Sequence, residues 1–111
     1  MNKHYSRESI LEVAGGDEDF ASVVVAAFLE EIPPDLASLE EAVSNDNKEL
    51  TYQFAHKMKP NIEMFGINIM KDIKSIEAWT DTSKSVSSIE ATVDKVVTTL
   101  NAVFEELKED F

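Results

Sequence analysis

His56 and Lys59, three residues apart, are the side chains of this chain whose types and spacing could do chemistry. They lie in the run Phe54-Ala55-His56-Lys57-Met58-Lys59-Pro60-Asn61-Ile62-Glu63-Met64-Phe65-Gly66. On a helix turning about 100° per residue, Phe54, Met58, Asn61, Ile62 and Phe65 form one stripe, extended a turn earlier by Leu50 and Thr51. His56 then projects roughly 170° from the centre of that stripe, into water. Lys59 stands beside it, a positive charge within reach of anything the ring carries. A neutral imidazole nitrogen can attack a phosphoryl group, because an unperturbed pKa of about 6.5 leaves most of it unprotonated at cell pH. Exposed histidine, adjacent lysine and rigid platform together make a phosphate-handling arrangement. The other histidine, His4, lies in the amino-terminal segment and is assigned no role.

The elements that must position these residues all read as helices. Three glycines and three prolines interrupt the chain, and no stretch sustains an apolar–polar alternation. Tyr5, Ser6 and Ile10 fit N′, N-cap and N4 of a short first helix that stops at Gly15-Gly16. Asp17 is the N-cap expected for a second helix that buries Phe20, Val23, Val24, Ala27, Phe28 and Ile32. Pro33-Pro34 removes two backbone donors, so a kink or short break is expected there, with Leu36, Leu39, Ala42 and Val43 continuing the buried face. Asn45-Asp46-Asn47 is the turn before the histidine helix, which runs from about Lys48 to Phe65 and is closed by Gly66. Asn68 is the expected cap of a fourth helix carrying Ile69, Met70, Ile73, Ile76 and Trp79. After a polar turn at Asp81–Ser85, Val86, Ile89, Val93, Val96, Leu100, Val103 and Leu107 alternate steps of three and four, the seam of a bundle helix widened by Val97 and Phe104. Short loops between long helices make neighbours antiparallel. The expected fold is all-α: an antiparallel four-helix bundle, with a short N-terminal helix covering one end, in a single domain spanning 1–111.

Composition narrows the function. The absence of cysteine excludes disulfides, thiolate metal sites and cysteine nucleophiles. The longest apolar stretch, Val23 to Leu29, is far short of the roughly 20 residues that span a bilayer, and the amino terminus has no apolar signal region, so a cytoplasmic protein is expected. With 22 acids against 10 bases the formal net charge is −12, which argues against nucleic acid as a partner. From His56 to Lys74, however, four lysines (57, 59, 71 and 74) face two acids (Glu63 and Asp72), a local +2 that leaves −14 for the remainder. Such a basic island would help hold a phosphoryl group on an acidic protein. No glycine-rich phosphate loop with its Lys-Ser/Thr is present, so the chain reads as a carrier rather than a kinase, with no cofactor of its own.

The pattern resembles the histidine phosphotransfer (HPt) family of two-component phosphorelays. The matching elements are Ala55-His56, Met58, Lys59 and Gly66 ten residues after the histidine. Ala14-Gly15-Gly16-Asp17 before an apolar helix ending near Phe28-Leu29-Glu30-Glu31 is similar as well, as is Ile76-Glu77 near the end of the next helix. The resemblance implies that His56 accepts a phosphoryl group from an aspartate of a receiver domain and returns it to another receiver. It implies that Lys59 neutralises phosphoryl charge and helps orient the histidine, and that the receiver, not this chain, supplies Mg²⁺. By helical geometry the docking face around His56 includes Glu49, Tyr52, Pro60 and Glu63, with Gln53 and Lys57 on its margins. Tyr52, one turn before His56, either offers a ring to a partner helix or lies over a neighbouring helix. Two positions depart from the family pattern. Pro60 stands where glycine is most common and costs about 3 kcal/mol in an ordinary helix interior. It leaves the His56 carbonyl without its i+4 donor, so a local bend is expected. Glu63 occupies a place where small residues are common.

Two other readings compete. An interaction module of the same architecture would bind receivers without carrying phosphate. A carboxylate-bridged metalloprotein would need Glu-x-x-His pairs, but Gln53 and Met1 precede the two histidines by three. The acidic pairs Glu40-Glu41 and Glu105-Glu106 read as solvated helix faces. A stand-alone monomer is the expected state, since the helices can bury one another's apolar faces within one chain.

Overall fold

Each helix starts and stops where local chemistry satisfies its end groups. The computed structural model describes residues 3–111, and the described residues form five α-helices and no strand. The first, α1 (Arg7–Val13), is capped by Ser6, whose hydroxyl accepts from the Ser9 amide. Asp17 caps α2 (Glu18–Ser44) by accepting from the amides of Asp19 and Phe20, and Asn47 caps α3 (Lys48–Met64) by accepting from Leu50. These bonds occupy donors that every helix start leaves unpaired. At the end of α3, Gly66 adopts φ +63° and donates to the Glu63 carbonyl, while Ile67 donates to Ile62. That bonding pair, with Ile62 and Ile67 both buried, is a Schellman stop.

α4 (Met70–Thr80) starts one residue later than expected. Its N-cap is Ile69, which has no side-chain capping bond, so Asn68 does not cap it. Ile67 and Ile69 are both buried, and their packing sets the start of α4 in place of a polar cap. A 3₁₀ turn over Val86–Ser88 takes Val86 off the last helix, α5 (Glu90–Asp110), which carries the expected seam from Val93 to Leu107.

Two expectations for α2 are overturned. The helix is continuous through Pro33 and Pro34, with no break. Ile32 before the prolines and Asp35 and Leu36 after them are buried, so both halves of the helix are packed against the core. Pro34 and Glu30 are exposed, so the Glu30 carbonyl that Pro34 leaves without a donor lies on the side where water can bond it. The buried stripe of the first half is also rotated from the expected one: Ala21, Val25 and Phe28 are inside, whereas Phe20 is 50% exposed, Val23 60%, and Ala27 exposed. Both sets recur at three- and four-residue spacing, and the small Ala21 rather than the bulky Phe20 faces the core.

α2 packs on α3, α3 on α4 and α4 on α5, and α5 also touches α2, giving a body of 46 × 25 × 18 Å. α1 lies against α2 and α3. At the centre the Phe28 and Phe65 rings stack at 4.1 Å, with Phe104 edge-on to Phe28 at 6.0 Å. Each such buried ring contributes about 1.5–3 kcal/mol through surface removed from water. No described helix is long and apolar enough to cross a membrane.

Candidate functional site

α3 is packed on two sides, by α2 and by α4, and His56 stands on the ridge between them. Its buried stripe is Thr51, Ala55, Met58, Ile62 and Phe65, with Phe54 and Asn61 only half-buried and Leu50 exposed. Relative to the stripe expected from residue types, this one is turned by roughly 40° at 100° per residue. Ala55, absent from the expected stripe, is fully buried, and His56 meets Glu77 of α4.

The Glu77 carboxylate is shared. Glu77 of α4, its side chain 12% exposed, places Oε2 3.0 Å from His56 Nδ1 and Oε1 2.9 Å from Lys59 Nζ. An ionised carboxylate only accepts, so Nδ1 is the donor in this bond, and in a neutral ring Nε2 is then the nitrogen with the lone pair. His56 remains open, with its side chain 61% exposed. Tyr52 stacks on the imidazole with ring centroids 5.5 Å apart and planes 12° from parallel.

On the other flank Lys57 donates to Asp35 of α2 at 3.1 Å. Asp35 is buried, and its second oxygen, Oδ2, has no hydrogen-bond partner. The basic island is thereby half neutralised: of its four lysines, Lys57 and Lys59 are each tied to a carboxylate that lies outside the His56–Lys74 stretch. Gln53, Glu49, Pro60 and Glu63 are exposed along the same helix. α3 runs unbroken through Pro60. The His56 carbonyl that Pro60 deprives of a donor belongs to the solvent face.

Sequence patterning brought His56 and Lys59 together but missed the partners supplied by other helices. Ile76-Glu77 carried only a resemblance, and nothing in the spacing of Glu77 indicates that it reaches across to α3. Asp35 gave no signal, standing directly after the proline pair where a kink or short break was expected. Among the described residues, no group of three or more histidine, cysteine or acidic side chains is gathered as a metal site. Comparison of the chain with protein-family models, with curated proteins and with solved structures gives no match.

Proposed function

We propose that this protein is a histidine phosphotransfer protein of a two-component phosphorelay, built as an antiparallel four-helix bundle with α1 covering one end. It is a cytoplasmic, monomeric phosphocarrier with receiver domains as its partners. The observation that carries this reading is the carboxylate of Glu77 bridging His56 Nδ1 and Lys59 Nζ. Holding the proton on Nδ1 turns the unprotonated Nε2 outward, on a ring that water and a partner can both reach.

The step follows from that geometry. The Nε2 lone pair attacks the phosphorus of a receiver aspartyl phosphate, forming the N–P bond as the P–O bond to the aspartate breaks. The aspartate carboxylate leaves with the bonding pair. The imidazole becomes a cation that retains the Nδ1 proton, and Glu77 opposes that charge at 3.0 Å. Lys59, poised on the same carboxylate, meets the phosphoryl oxygens. The receiver brings the aspartate and its Mg²⁺, and this chain brings the nucleophile and fixed charges.

The second reading, a receiver-binding module that carries no phosphate, draws on Lys59 and Lys57 being already paired and on Glu63 standing along the ridge. Phosphoryl transfer from a phosphorylated receiver to the wild type and to His56→Gln separates the two. Acid-labile, alkali-stable label on the wild type alone supports the carrier. Binding without label across a panel of receivers supports the module.

A further inference from the structure

Tyr52 stands one helical turn before His56 with its ring against the imidazole. A hydrogen bond at Nδ1 restrains the His56 ring softly and leaves it able to rock through its two side-chain torsions. Rocking swings Nε2, the atom that must meet phosphorus in line. The Tyr52 ring removes that freedom, because it lies against the imidazole face at 5.5 Å and within 12° of parallel. Offset stacking at this separation is a favoured arrangement for aromatic rings. It is also the contact that i, i+4 spacing provides, since helical side chains lean back over the preceding turn.

We infer that Tyr52 is a positioning residue for His56: its ring face and the Glu77 carboxylate together fix the plane and tautomer of the imidazole before a partner arrives. This rests on the reading of His56 as phosphoacceptor. Three observations favour it over a packing role. Tyr52 is 44% exposed, so it is not a core residue. Among the described residues its hydroxyl engages no hydrogen-bond partner, so the face of the ring is what is used. Beyond the ring lies an open groove of about 660 Å³, lined by Tyr52 with Lys48, Glu49, Gln53, Thr80 and Asp81. His56 does not line that groove, so the Tyr52 ring stands between it and the imidazole.

The test compares Tyr52→Phe, Tyr52→Leu and Tyr52→Ala in two measurements. Nitrogen-15 NMR of the unphosphorylated protein reads the His56 tautomer, and single-turnover transfer from a phosphorylated receiver at saturating concentration reads the rate. With Phe, both stay within about twofold of wild type. With Leu and Ala, the neutral ring loses its fixed Nδ1–H tautomer and transfer slows roughly 3- to 10-fold, the loss of one aromatic stack. An unchanged tautomer and saturated rate in Tyr52→Ala overturns the inference. Weaker receiver binding with an unchanged saturated rate also overturns it and makes Tyr52 a docking residue. If the wild type accepts no phosphoryl group, the carrier reading fails, while the tautomer readout still decides whether Tyr52 positions the ring.

Discussion

The two histidines of this chain occupy outwardly similar settings, each with Nδ1 against a glutamate from a distant helix: His56 on Glu77, His4 on Glu106. What surrounds each pair separates them. Glu106 also accepts the His4 backbone N–H at 2.8 Å, and next to it Tyr5 donates to Asp110, which Lys3 approaches at 3.5 Å. Every group there is used to tie residues 3–5 to the end of α5. Glu77 instead spends its second oxygen on Lys59, and the ring it holds stands open on a helix packed from both sides. An imidazole–carboxylate pair is therefore not itself a site. A cation on the same carboxylate and a support packed from both sides set the His56 pair apart.

The sharpest way to break this contrast is to exchange the histidines' fates. His56→Gln should abolish acceptance of phosphoryl label, and His4→Gln should leave it within about twofold, both read by transfer from a labelled receiver. Removing the carboxylates comes next. Glu77→Ala should slow transfer roughly 10- to 100-fold, the scale expected when a preorganised charge is lost from a reacting centre. Glu106→Ala should leave the rate unchanged. It should lower the melting temperature by about 5 °C, the scale of roughly 1 kcal/mol of lost hydrogen bonding in a domain of this size.

The smallest effect is in pH dependence. Burial, then the hydrogen bond to Asp110 and its charge, raise the Tyr5 hydroxyl above its ordinary 10.0. Folding therefore retains that proton, and stability falls as pH rises past about 10, where the unfolded chain releases it. The Tyr5 hydrogen bond lowers Asp110 against the opposing effect of burial, with the charge of Lys3 helping. Burial raises Glu106, but the hydrogen bonds from His4 and the nearby charges outweigh it, so Glu106 is lowered too. Stability from these two carboxylates is present above their ordinary values of 3.8 and 4.5 and is lost as pH falls through the lowered ones. Thermal melts across pH should show Tyr5→Phe losing less stability than wild type at the alkaline end, with transfer by His56 unaffected.

The N-caps at Ser6 and Asp17, the turn ending at Asn47 and the stop at Gly66 were legible because each is set by neighbouring residues. His56 and Lys59 were legible for the same reason, lying within one turn of each other. Glu77, Asp35 and the tether of His4 to α5 depend on how one helix is set against another, which residue type does not encode position by position. Phe20 and Val23 show the limit most directly. They match the period of a buried stripe and are large and apolar, yet the close packing of α2 selects Ala21. His4, read as a residue in an unattached segment, is instead bound at both its backbone and its ring.

Gly66 bears on all of this as a reference mark. A β-carbon built there would come within 2.6 Å of the Ser6 side chain, and Ser6 also donates its amide to the Phe65 carbonyl at 2.8 Å. The start of α1, the end of α3 and the approach to α4 thus meet at one backbone position that cannot be padded. Counted back from that mark, His56 lies ten residues away, about 15 Å of helix. Counted forward, Glu77 lies eleven residues away. The two side chains meet because both distances are measured from the same origin. One residue inserted between His56 and Gly66 would turn the imidazole, and with it the buried Thr51 and Ala55, by about 100° relative to that mark.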